Sequence, residues 1–174
     1  MKWLRENVLT WRSVALFFMA VVFWWLVFPL AFRLAVSPAV YMDVRSIYVA
    51  DAPVGGDPSV TIDRDIRRNF SGANEATVRL MEADGTIWEY CRPGVRDDIA
   101  YTAGRQYPGR SLNWWLGSPP ADACEIVPGK YKLRIKWTIN AFFGLVPLHV
   151  TRESAPFTIY DPRAVNQSPA AVWR

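Results

Sequence analysis

The chain has 174 residues, enough for one membrane segment and one ordinary domain, and is 51% hydrophobic and 14% aromatic with nine Trp. Its formal charge is +4, yet Lys2, Arg5, Arg12 and Arg33 flank a single apolar block against Glu6 alone; without these, 16 basic and 15 acidic residues remain. That near-neutral remainder excludes a nucleic-acid partner, because such a surface concentrates its cations on the folded domain.

From Ser13 to Phe32 the chain reads SVALFFMAVVFWWLVFPLAF, 20 residues without an ionisable group. As a helix it would be roughly 30 Å long, the thickness of a bilayer's hydrocarbon core. Two other readings compete. A cleaved signal peptide has a shorter apolar region, of roughly 7–15 residues, and a small-x-small cleavage site. The one plausible site here, Ala35-Val36-Ser37, puts Pro38 directly after the cut. A buried core helix is the other reading, but a chain this size could not cover a stretch that is apolar all round. The expected element is therefore an uncleaved transmembrane helix. Pro29 removes a backbone donor one turn from its end and is expected to kink or end it there. Trp24 and Trp25 fall mid-helix, where facing lipid is the simpler expectation and packing on a partner helix the other. The bias of Lys2, Arg5 and Arg12 over Arg33 places the N-terminus in the cytoplasm and the rest outside, periplasmic or extracellular.

Beyond the linker LAVSPAV the pattern changes to a period of two. In Lys130–Ile139, Tyr131, Leu133, Ile135, Trp137 and Ile139 alternate with Lys130, Lys132, Arg134, Lys136 and Thr138, as in a half-buried antiparallel strand. Pro128-Gly129 supplies the turn before it. Upstream, Val40, Met42 and Val44 alternate before the phase slips to Ile47 and Val49, which predicts a bulge. Val60 and Ile62 continue the pattern, as do Ala76, Val78 and Leu80. Asp84-Gly85 signals a two-residue hairpin into Ile87–Cys91. Phe157–Tyr160 reads as a closing strand.

Short strands with Gly, Pro and Asp turns and no amphipathic helix predict a mainly β fold. The order of features over Val40–Asp161, above all the strand PGKYKLRIKW followed by a terminal strand, is similar to immunoglobulin-like domains. The resemblance is one of architecture and implies an antiparallel β-sandwich, although the two cysteines do not bracket a core Trp as in antibody domains. The expected organisation is 1–12 cytoplasmic, 13–33 transmembrane helix, 34–39 linker, 40–162 extracytoplasmic β-sandwich, and 163–174 C-terminal tail.

Cys91 and Cys124 are the only cysteines. In an exported domain such a pair is most simply a disulfide, closing a 34-residue loop worth about 3.8 kcal/mol on the chain-entropy description. Two free thiols or a metal pair are the alternatives. With one His in the chain no standard metal-ligand spacing exists, so no metal and no cofactor is expected.

No catalytic set stands out. His149, the sole histidine, sits at a strand start and reads as structural or surface. Asp63 and Asp65, and the pair Asp97-Asp98, are the residue types that hold calcium or do acid–base work. Arg64, Arg67, Arg68 and Arg96 lie beside them, so surface ion pairing is the default. Asn69-Phe70-Ser71 and Asn166-Gln167-Ser168 fit the glycosylation triplet.

Two segments suggest binding. Ala141–Leu148 carries Phe142, Phe143 and Leu145 around Gly144 and Pro147, a composition for an apolar loop or broken hairpin that meets a partner if exposed and is core if folded inward. Leu112–Leu116 carries Trp114 and Trp115 near Arg105, Tyr107 and Arg110, the residue types of interface hot spots; the alternative is a tryptophan pair plugging one end of the sandwich. The expected function is non-catalytic: a single-pass subunit of an envelope-associated or viral membrane-associated assembly, with membrane lipid and protein as partners. A membrane-anchored glycan- or peptidoglycan-binding module, with Trp114 and Trp115 as stacking platform, is the alternative.

Overall fold

A computed structural model describes residues 11–91, 94–117, 126–141, 144 and 146–165. Helix α1 (Trp11–Val22) runs through a π-helical turn (Phe23–Val27) into α2 (Phe28–Ala35). The stretch Ser13–Ala35 is one helix of 23 residues, long and apolar enough to cross a membrane and unburied by the rest of the chain. Pro29 neither ends nor breaks it. Its ring would crowd the carbonyl four residues earlier in a regular α-turn. The turn just before it is instead widened, with the Phe28 N–H bonded to the Phe23 carbonyl five residues back. On one side of the helix Trp24 stacks on Phe28 at 4.7 Å, and Phe28 lies 6.1 Å from Phe32. Trp24 and Trp25 are both more than half exposed.

The junction with the domain is short. The Val36 N–H bonds back to the Phe32 carbonyl, and the Ser37 hydroxyl accepts from the Ala39 N–H to cap a 3₁₀ turn (Pro38–Val40). Phe32 and Val36 pack against the domain core. β1 (Met42–Val49) then begins.

Eleven described strands form two sheets. The first joins β1 to β3 (Ser59–Ile66), which also pairs β7 (Gly104–Gln106) and β8 (Gly109–Ser111). The second is centred on β4 (Phe70–Met81) and β9 (Gly129–Ala141). β4 also pairs β5 (Ile87–Glu89) and β6 (Gly94–Tyr101); β9 also pairs β10 (Val146–Glu153) and β11 (Phe157–Tyr160). All pairs are antiparallel except that of β11 with the two-residue β2 (Ala52–Pro53). The inward residues of both sheets form one core, in which Val60, Ile62, Val78, Leu133, Ile135 and Trp137 are fully buried.

The expected bulge in β1 lies between Val44 and Ser46, where the register against β3 shifts. The β4–β5 turn has three residues, not two. The Glu82 N–H meets the Thr86 carbonyl, and Gly85 takes φ +87°, the left-handed position such a loop requires. β10 corrects the expectation in part: the sequence places a strand start at His149, but the strand begins earlier, at Val146, where Gly144 and Pro147 argue against a regular one. Gly144 makes the turn at φ +83°, and Pro147 sits in a strand paired only to β9, where its missing N–H costs no ladder bond. Val146 and Leu148 therefore face the core. A second short helix, α3 (Leu112–Leu116), and β6 both lie in a stretch expected to be irregular.

Register fixes which end of the domain meets the helix. The starts of β1, β4 and β10 and the ends of β3, β6 and β9 gather there: Met42 opposes Ile66, Phe70 opposes Tyr101, Gly72 opposes Ile139 and Ala141 opposes Val146. α2 and the 3₁₀ turn pack on β10 at that end.

Candidate functional site

The only tryptophan–arginine cluster among the described residues is built on α3. Ser111 caps the helix by accepting from the Trp114 N–H, 3.2 Å away, which sets the rotation of the following turn. Leu112, Trp115 and Leu116 point into the core and Trp114 is left half-buried at its rim. Trp115 is 1% exposed, so it offers no surface to a ligand. The expected pair thus splits, one ring in the core and one at the rim, meeting edge to face at 4.9 Å.

Two arginines address Trp114. Arg96 on β6 lies 4.1 Å over the ring and donates from Nε and Nη2 to the Trp114 carbonyl, at 2.9 and 2.6 Å. Arg110 on β8 lies 5.6 Å from the same ring. A guanidinium over an indole is a favourable cation–π contact, and here it occupies ring surface that a sugar would need. β6 comes this close to α3 only because residue 94 is glycine: a Cβ there would stand 2.1 Å from the Leu116 carbonyl oxygen. Sequence reasoning found Trp114, Trp115 and Arg110 but not the role of Arg96, which was assigned to the neighbouring aspartates.

Arg64 is a correction of the same kind. It faces inward on β3, 9% exposed, and donates from Nε and Nη2 to Gln106 Oε1 at 3.1 and 2.8 Å. It also lies 5.0 Å over the Tyr101 ring. Tyr101 in turn accepts from the Asn74 amide at 3.4 Å, while Asn74 Oδ1 is buried without a partner. Burial lowers the Arg64 pKa and raises that of Tyr101. Asp63 is paired instead with Arg105, 3.0 Å away, whose hydrogen bond holds the carboxyl below its ordinary range. Arg67 pairs with Asp43 at 3.5 Å.

The outer face of β9 is basic in sequence but mixed in space. Lys136 meets Glu75 at 3.6 Å, Arg134 meets Glu89 at 4.0 Å, and Arg79 beside them pairs with Glu153. An open groove of about 520 Å³ between β4, β6 and β9 is lined by Asn74, Glu75, Asp97, Asp98 and Asn140 among others. Among the described residues no three His, Cys, Asp or Glu side chains group as metal ligands. His149 is exposed near the junction with α2, its Nδ1 3.2 Å from the Thr138 hydroxyl. Burial, Lys136 and Arg33 together lower its pKa.

Cys91 is buried, and Cys124 lies outside the described residues. So do Phe142, Phe143 and Leu145, although Ala141, Gly144 and Val146 around them stand at the helix-proximal end. Neither protein-family models nor curated proteins include a match to this chain.

Proposed function

We propose that the chain is a non-catalytic interaction subunit of an envelope-associated or viral membrane-associated assembly, anchored by one retained helix with its N-terminus in the cytoplasm. The domain is read as an immunoglobulin-like sandwich in an oxidising compartment, with Cys91 and Cys124 joined as a disulfide. One observation carries this reading: the last turn of the helix is part of the domain's own packing, through Phe32 and Val36. A signal sequence near the N-terminus can also form an apolar helix that meets this length criterion, but its cleavage after Ser37 would discard both contacts and the Ser37 cap of the 3₁₀ turn. The rim cluster of Trp114 and Arg110 is the partner surface, in keeping with the composition of hot spots. A glycan platform is less favoured because Trp115 is core and Arg96 covers part of Trp114.

The test is purification of the full-length chain from its native membrane in mild detergent, with an intact-mass measurement of the chain and identification of co-purifying proteins. A chain retaining residues 1–37 with a stoichiometric partner that is lost in Trp114→Ala or Arg110→Glu supports the proposal. A mature chain starting near Pro38, or retention on peptidoglycan with no protein partner, overturns it.

A further inference from the structure

Where the helix enters the domain, like charges are held together without enough acid to balance them. Arg33 lies in the last turn of α2, and α2 packs on β10. His149 faces outward from β10 opposite Thr138 of β9, and Lys136 is two residues from Thr138 on the same face. His149 and Lys136 are therefore diagonal cross-strand neighbours, within reach of long side chains. The groups facing the imidazole are Thr138 and Lys136 from β9, Thr151 from its own strand, and Arg33 from α2. Among the described residues the one carboxylate paired with this set is Glu75, 3.6 Å from Lys136. Arg33 makes no ion pair among the described residues and is exposed. Burial of the ring, with Lys136 and Arg33 beside it, lowers the His149 pKa, which is the response of an imidazole in a site lacking an anion.

The helix says which anion the geometry serves. Arg33 follows 20 uncharged residues, so in a bilayer it emerges at the depth of the lipid phosphodiesters, with the rim of the domain resting just above. Nδ1 lies 3.2 Å from the Thr138 hydroxyl, which leaves Nε2 as the ring nitrogen to meet an outside group, a donor once the ring is protonated.

We infer that Arg33 and His149, backed by Lys136, bind the phosphodiester of an anionic phospholipid in the leaflet beneath the domain. Arg33 supplies a guanidinium fork and His149 a donor that strengthens on protonation. The inference rests on the proposed membrane anchoring and adds to it a defined headgroup contact.

Because His149 is the sole histidine, its ring resonances report on this site alone. The full-length chain is placed in nanodiscs of phosphatidylcholine or of phosphatidylglycerol, its intact mass is checked, and the ring is titrated by NMR. The expected result is a pKa below the ordinary imidazole value in phosphatidylcholine and about one pH unit higher in phosphatidylglycerol. That rise is lost in Arg33→Gln and kept in Lys132→Gln. Equal values in the two lipids, or a rise as large in Arg33→Gln as in the parent, overturn the site, the latter assigning the effect to general surface potential. Inorganic phosphate in phosphatidylcholine discs that reproduces the whole rise also overturns it, in favour of a free ion. A chain found cleaved after the helix would instead remove the anchoring itself, and the mass separates that failure from a failure of the site.

Discussion

Arg64 and Asp63 are adjacent in sequence and belong to different environments, because successive side chains of β3 point to opposite faces. Asp63 reaches Arg105 in solvent, while the Arg64 guanidinium is desolvated with Gln106, Tyr101 and no carboxylate. A buried charge that lacks an opposite charge is costly. Replacing it with an apolar side chain of similar length, Arg64→Met, should therefore leave stability within about 1 kcal/mol of the parent or raise it, measured by urea denaturation. A loss above about 3 kcal/mol would show that the guanidinium holds Tyr101 and Gln106 in place. Tyr131 is a second internal polar group, its hydroxyl donating to the Val127 carbonyl at 2.8 Å. Burial, reinforced by Tyr90, pushes its pKa up to about 12. The unfolded phenol ionises near 10, so the native state binds the proton more tightly, and stability should fall as pH rises from about 10 to 12. A pH titration of tyrosinate absorbance should show Tyr131 and Tyr101 ionising later than the ordinary phenols, and Tyr131→Phe should remove one phenol from that late step.

At the scale of elements, legibility followed how far each strand's own side chains carried the signal. β9 was plain because six inward apolar residues alternate with solvated ones along 13 residues. β11 was plain for its bounding turns, and the β1 bulge because a phase slip in the apolar pattern is the bulge. β6 was not legible. Its sequence Gly-Val-Arg-Asp-Asp-Ile-Ala-Tyr has no period of two, and the register opposite Gly72 and Asn74 breaks with Asp98 at φ +55°. It is a strand because β4 offers an edge and Gly94 lets α3 approach, which are facts of tertiary packing. The start of β10 was hidden by a proline that an edge strand tolerates. For the same reason half of the candidate site was invisible: Trp114 and Arg110 stand out by residue type, whereas Arg96 joins them only across the sheet. Gly94→Ala tests that dependence. Displacing the Leu116 carbonyl from a Cβ that would lie 2.1 Å away should cost about 1–3 kcal/mol in denaturant unfolding. It should also release the Arg96 contact on Trp114, read as a shift in tryptophan fluorescence that is absent when the same substitution is made in a Trp114→Phe background.

At the scale of the whole molecule, an apolar helix long enough to span a membrane and a mainly β domain were readable in outline, since an uncharged stretch of bilayer length and period-two patterning need no tertiary information. The pairing of strands across two sheets was not, because register depends on contacts distant in sequence. The proposed disulfide belongs to this scale, as it would tie Cys91, just beyond β5, to the segment leading into β9. Both thiols should resist alkylation in native material until reductant is added, and Cys91→Ser should cost about 2–5 kcal/mol. Rapid labelling of either without reductant would argue for a reducing compartment and against the proposed orientation.

The six residues between Ala35 and Met42, folded into a capped 3₁₀ turn, have a mechanical meaning. A tether that brief leaves the domain no stalk on which to sweep through solution. Its longest strand, with 13 residues, extends roughly 43 Å at 3.3 Å per residue. On the proposed membrane anchoring, anything the chain captures would have to come within that height of the lipid surface, which points the search for counterparts to neighbours in the same bilayer or objects already lying against it.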